Sequence, residues 1–254
     1  MAGFLKKGAE SQKLAEVEKA QAELRKNEQG KPWRFFMGKG DSTYITFVDG
    51  EVDHEGHLVP PRLYEHNLKI NGKWGNLFVC PEQSEPEAGY KCPICAQGDR
   101  PTLYSAFTIV DHTESFSKDG TKSYKDQRRL FMATPKTYER LYKIAQKRGG
   151  LAGARFEVSR SEDAMSPSVG DFFDFEDKSS PEELKGKWVN EYTKDGEKVR
   201  EDQFTPIDYD NAFTYHTPDE LRAMPMFGGT GTVTTPSAPS TSTAVEAVDY
   251  ENQL

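Results

Sequence analysis

Residues 91–101 read KCPICAQGDRP. Cys92 and Cys95 stand two residues apart, with Pro93 between them and Gly98 behind. The remaining cysteine of this 254-residue chain is Cys80, so all three fall within sixteen positions. A Cys-x-x-Cys turn lets two sulfurs reach one ion, and a structural Zn²⁺ takes four ligands in a tetrahedron, thiolate and imidazole above all. Cys92 and Cys95 supply two, Cys80 a third, and the fourth falls to a histidine: His54, His57, His66 or His112, with His216 remote. His66 is the choice. It precedes Asn71-Gly72, a hairpin signal, and Cys80 lies on the returning arm. An ideal two-residue turn pairs His66 with Leu77 rather than Cys80, so a bulge or a strand end is required.

Other readings of the motif are a thioredoxin-like redox couple, two buried cysteines without a metal, and a catalytic zinc. A redox couple belongs at a helix start near a βαβ pattern, whereas here the polar run PEQSEPEAGYK and strand-like surroundings flank the pair. A catalytic zinc needs an open position and a nearby base. Structural zinc, stapling a loop-rich subdomain at about residues 60–100, accounts best for the clustering.

On either side the chain reads as strands. STYITFV alternates Tyr44, Thr46 and Val48 with Ile45 and Phe47 and ends at Asp49-Gly50. RLYEHNLKINGKWGNLFVC reads as a hairpin, and TLYSAFTIVD, QRRLFMAT, GARFEVSR and GDFFDFE as further strands. HTESFSKDGTKSYKD reads as a long polar loop with Asp119-Gly120 at its tip. In TPKTYERLYKIAQKRGG, Thr134 suits a helix N-cap, Pro135 the first turn and Gly149 the stop. Its Tyr138, Leu141, Tyr142 and Ala145 share one face; Lys136, Arg140, Lys143 and Lys147 share another. TPDELRAM reads as a short helix, and residues 9–27 as a helix with a thin stripe of Leu14, Val17, Ala20 and Leu24. The expected class is therefore mainly β with accessory helices (α+β). An arm and helix occupy 1–30, a core 31–227, and a Gly/Ser/Thr/Pro linker with an acidic tip 228–254.

Composition narrows the function. Hydrophobic residues make up 35%, and no apolar run approaches the roughly 20 residues that span a bilayer. The N-terminus lacks the pattern of a secretory signal, and three cysteines cannot all pair within one chain, which points to a reducing, intracellular setting. The net charge of -8 hides a division: residues 122–160 carry eleven Lys/Arg against three Asp/Glu, and residues 161–254 seven against twenty. Aromatic residues interleave with bases in KPWRFFMGKG, TLYSAF, SYKDQRRLF and YERLYK. Single-stranded nucleic acid needs this pairing of cations for the backbone and flat rings for unpaired bases. The candidates are Arg34, Phe36, Lys39, Trp74, Tyr104, Phe107, Lys125, Arg128, Arg129, Lys143 and Arg155. Arg128 and Arg129, adjacent in a strand, face opposite sides.

No phosphate loop, dinucleotide fingerprint, HExxH, GxSxG or deaminase signature occurs, so the expectation is a non-enzyme. A zinc-dependent protein-interaction adaptor without nucleic-acid binding is the alternative.

His66, Cys80, Cys92 and Cys95 resemble, in order and approximate spacing, the His…Cys…Cys-x-x-Cys set of the T-even bacteriophage single-stranded DNA-binding proteins. The layout is similar too, over roughly residues 1–225 and the tail: a basic N-terminal arm, a core with a zinc insertion, and an acidic tail. The resemblance implies an OB-fold Greek-key barrel with structural Zn²⁺. It also implies a protein that coats and protects single-stranded DNA in phage replication, recombination and repair, in the cytoplasm of the infected host. Neighbouring copies would self-associate along the strand. The tail, with Glu246, Asp249, Tyr250, Glu251 and Leu254, would recruit polymerase, helicase or recombination factors. Two features depart from the pattern: the tip is only weakly acidic, and the N-terminal arm runs into a clear helix.

Overall fold

The computed structural model describes residues 8–27, 30–70, 72–116, 123–163, 165–194 and 197–227. The arm before residue 8, Asn71, the Asp119-Gly120 tip, and the whole linker and acidic tip with Glu246, Asp249, Tyr250, Glu251 and Leu254 lie outside them.

Alternation of apolar side chains builds the sheet. β1 (Ser42–Phe47) turns Ile45 and Phe47 inward and Tyr44 outward. β2 (Arg62–Ile70) and β3 (Lys73–Val79) form the expected hairpin, with a register shift between Leu68 and Ile70. β4 (Thr102–Asp111) is the longest strand and organises the rest. Along one edge it pairs with β2 and then with β1; along the other it pairs with β7 (Gln127–Ala133). β8 (Ala154–Ser159) lies on β1, and β9 (Phe172–Lys178) on β8, completing a seven-stranded antiparallel sheet.

The sheet curls around Phe35, Ile45, Phe47, Phe107, Ile109, Phe131 and Phe156, all buried. Phe131 of β7 meets Phe173 of β9 with ring centroids 6.2 Å apart, although no ladder joins these strands among the described residues. Residues 33–37 cross the gap instead: the Phe35 N–H donates to the Leu130 carbonyl and the Met37 N–H to the Ser168 carbonyl, each at 2.8 Å.

Two one-turn helices, α2 (Pro81–Ser84) and α3 (Pro93–Ala96), follow the β2–β3 hairpin, each begun by a Cys-Pro step. Proline pre-sets φ for the first helical position and forfeits only an N–H that has no partner there. Helix α4 (Pro135–Arg148) follows β7. The Thr134 hydroxyl accepts from the Thr137 N–H, and Gly149 ends the helix at φ 66°, a left-handed conformation that glycine adopts without penalty. Among its described side chains, the 19-residue helix α1 (Ala9–Asn27) buries Val17, Ala20 and Gln21, while Leu14 stays exposed.

Residues 181–227 wrap the outside of the sheet. α5 (Pro181–Leu184) and the hairpin β10 (Val189–Lys194)–β11 (Glu197–Asp202) bring Leu184 and Phe204 onto Val48 and Val110. Ile207, the short α6 (Tyr209–Ala212) and Phe213 cover Leu63, Val79, Ala106, Leu130 and Met132. Asp49 fastens this wrap: its carboxylate accepts from the Thr108 N–H and from the Tyr209 hydroxyl. α7 (Pro218–Ala223), opened by a Thr217/Glu220 capping box, delivers Leu221 and Met224 to the α2–α3 region. None of these described helices is long and apolar enough to cross a membrane.

Two regions differ from the sequence reading. The segment expected as one polar loop carries a short ladder at its base, β5 (Ser115–Phe116) with β6 (Ser123–Tyr124). The β10–β11 hairpin has too few apolar residues to show alternation. Its backbone ladder instead sets charged residues opposite each other, such as Glu191 and Arg200, 3.0 Å apart.

Candidate metal centre and nucleic-acid interface

The four ligand candidates converge. His66 sits on β2 opposite Phe78, and Cys80 begins two residues beyond that position, where its N–H donates to the Tyr64 carbonyl at 2.8 Å. The bulge and the strand end together supply the offset that an ideal hairpin lacks. The Cys92 and Cys95 sulfurs lie 3.5 and 3.6 Å from His66 Nε2, and the Cys80 and Cys95 sulfurs 3.6 Å apart. All four ligand atoms fall within 4.8 Å of one another. A tetrahedral ion at about 2.3 Å from sulfur and about 2.0 Å from nitrogen holds its donors about 3.5–3.8 Å apart. The pocket can therefore hold a metal ion, and its donor set is compatible with zinc. Of the other histidines weighed, His54 lies by Glu55, His57 by Asp53 and Glu55, and His112 pairs with Asp126.

A second layer orients the ligands. Asp99 Oδ1 lies 2.6 Å from His66 Nδ1, which leaves Nε2 facing the sulfurs. The Cys92 N–H donates to Glu82 at 3.0 Å, and Glu82 also pairs with Lys91. Phe78, Ile94, Leu221 and Met224 seal the surroundings. Burial opposes ionisation of Cys92, but His66 and the N–H groups of Cys95 and Ile94 outweigh it and bring the thiol down to about 7. Burial, reinforced by Cys80, pushes Cys95 well above the ordinary thiol range. An entering cation has to displace these protons, so affinity rises with pH.

The nucleic-acid candidates scatter. Phe107 is a correction: it is fully buried, edge-on to Phe47 at 5.7 Å, so no base can stack on it. TLYSAFTIVD is a central strand, and its alternation points Phe107 into the core. Tyr104 is half-buried against the cluster of Leu63, Val79 and Phe213. Arg34 is committed to Glu65 through two hydrogen bonds of 2.7 and 2.6 Å, and Arg128 to Glu201. Lys39, Lys125 and Lys143 are exposed. Trp74 is exposed at the β3 edge, with Lys69 Nζ 6.0 Å from its ring. As expected, Arg128 and Arg129 part company, since Arg129 turns to Trp33.

Three guanidinium groups each lie over an exposed ring: Arg129 over Trp33 at 5.1 Å, Arg160 over Phe36 at 5.6 Å, and Arg155 over Tyr44 at 4.8 Å. Trp33 and Phe36 are 72% and 69% exposed. They sit three residues apart on the segment that crosses the sheet gap, and the Arg160 side chain donates to the carbonyl of Met37 on that segment. The third pair lies on the outer face of β1 and β8, where buried Arg155 Nε has no hydrogen-bond partner among the described residues. The sequence reading missed Trp33, Tyr44, Arg160 and Asp99. Trp33 was visible beside Arg34 in KPWRFF, and Asp99 four residues after Cys95; Tyr44 and Arg160 needed the fold.

Compared with protein-family models and with curated proteins, the sequence matches none.

Proposed function

We propose that this protein binds single-stranded DNA with little regard to sequence, through the band of Trp33, Phe36 and Tyr44 with Arg129, Arg160 and Arg155. The observation that carries the reading is three solvent-facing rings, each already partnered by a guanidinium. Exposed rings on a folded surface offer faces to unpaired bases, and the cations beside them suit phosphates and add cation–π attraction. A duplex hides its base faces, so the same surface discriminates against it.

On this reading the curled sheet is an OB-type barrel in which residues 33–37 span the open seam, and the Cys/His pocket holds a structural Zn²⁺. The biological setting is that of the phage replication proteins the sequence resembles. The chain coats exposed strands in the infected host, meets its neighbours along them, and recruits replication or recombination enzymes through the acidic tip.

Titration of labelled poly-dT and of an equal-length duplex, at low and high salt, tests the reading. Tight binding of the single strand that weakens steeply with salt is the expected result. Equal binding of both polymers, or none, overturns it and leaves the interaction adaptor. Removing residues 244–254 is expected to tighten DNA binding at low salt and abolish enzyme recruitment.

A further inference from the structure

A second aromatic surface, which shares no residue with that band, lies between the loop before β2 and helix α4. Arg62, Tyr138, Tyr142 and His57 form a row of flat groups. The Arg62 guanidinium is 4.2 Å from the Tyr138 ring, the two tyrosine rings are 6.0 Å apart, and His57 stacks on Tyr142 at 6.5 Å with 13° between planes. The Tyr138 hydroxyl donates to the Leu58 carbonyl at 2.8 Å, which fixes that ring. Asp53, Leu58, Val59 and Pro60 complete a shallow groove of about 560 Å³, and Val59 is 61% exposed.

A tyrosine-lined groove bordered by proline and an acidic loop suits a polyproline II strand, which arrives already extended and loses little entropy on docking. The sequence contains one P-x-x-P, formed by Pro236 and Pro239 in TTPSAPST. Two prolines three residues apart lie one polyproline turn apart, about 9 Å, and present the same face. Residues 228–245 carry no charge, so Asp53 and Arg62 neither repel nor demand anything of them.

The described chain ends at a favourable place. The ring of Phe227 packs on Phe78 at 5.5 Å, Phe78 pairs with His66 across the hairpin, and His66 is four residues from Arg62 along β2. That stretch of strand covers about 13 Å. The nine residues from Phe227 to Pro236 reach about 30 Å when extended, which is enough.

We propose that the groove between Pro60 and Tyr142 holds the chain's own residues 236–239 in cis. The groove would then set where the acidic tip emerges, independently of whether the Trp33–Phe36 band binds DNA.

The test uses the full chain carrying fluorotyrosine, with the Tyr138 and Tyr142 resonances assigned through Tyr138→Phe and Tyr142→Phe. The double variant Pro236→Ala/Pro239→Ala, which leaves the acidic tip intact, should move both resonances, and excess synthetic VTTPSAPST peptide should move them back. Identical resonances in the variant and the parent protein overturn the proposal. So does a parent spectrum that changes with protein concentration, because that places a second copy in the groove. No DNA is present in this experiment, so its outcome is separable from that of the DNA reading.

Discussion

The Cys/His pocket and the ring–guanidinium band use opposite exceptions to the ordinary rule of burial. The pocket hides polar atoms: His66, Cys80 and Cys92 are at most 1% exposed. The band exposes apolar ones, with Trp33 and Phe36 about two-thirds open to solvent or more. A metal site needs desolvated donors held by packing, so its cost is met inside the fold. A stacking surface needs free ring faces, so its cost is met when a base arrives. A buried polar cluster and an exposed apolar patch are the two informative deviations in a folded chain, and the described residues include both.

Two histidines sharpen the lesson. His66 and His112 both carry an aspartate on Nδ1, at 2.6 and 2.5 Å. Nε2 of His66 faces sulfurs, whereas Nε2 of His112 meets the Thr46 hydroxyl at 2.8 Å. An Asp–His pair orients a ring; what the other nitrogen faces determines its chemistry.

The contrast can be tested at both ends. The largest effect is expected from Cys92→Ser: loss of bound metal and a stability loss on the order of 5 kcal/mol, because metal-binding energy in such sites is folding energy. Metal analysis with chemical denaturation reads it; full metal retention would contradict the ligand set. Next comes a matched pair of phenylalanines. Phe107→Ala should cost about 3–5 kcal/mol of stability. Phe36→Ala should leave stability within about 0.5 kcal/mol and weaken oligonucleotide binding by about 1–3 kcal/mol. Denaturation and binding isotherms on both variants separate core ring from surface ring.

A third test concerns the fastening of the C-terminal wrap. Burial raises the Asp49 carboxyl from its ordinary range near 4 to about 6. Between those values the folded chain keeps a proton that the unfolded chain has released, so this group's contribution to stability falls as pH rises through the window. Comparing the pH dependence of unfolding in the parent and Asp49→Asn should show that slope, at most about 3 kcal/mol in all, only in the parent. The smallest change is expected from Asp99→Asn, which leaves all four ligands in place and should lower metal affinity about 10–100-fold. Competition with a chelator measures it, and an unchanged affinity would strip Asp99 of its orienting role.

Much of the pocket was legible because its signal is local. Cys-x-x-Cys spacing, a lone upstream cysteine and a hairpin turn place four residues with little reference to the rest of the chain. Helix α4 was legible for the same reason, since Thr134, Pro135 and Gly149 act on their own backbone. The DNA candidates were harder to rank. Arg34 and Arg128 look like free cations in the sequence, but Glu65 and Glu201, 31 and 73 residues away, claim them. Phe107 and Phe36 are both aromatics near bases, and only strand pairing sends one inward and leaves the other in solvent.

The sequence by itself determined the ligand types, the strand-rich class, the capped helix and the segregation of charge, because each depends on neighbours within a few residues. Tertiary structure alone decided which cations remain available, which rings face out, and that residues 33–37 bridge β7 to the segment before β9. Those outcomes depend on side chains brought together from distant parts of the chain, and such contacts leave no periodicity in the sequence to read.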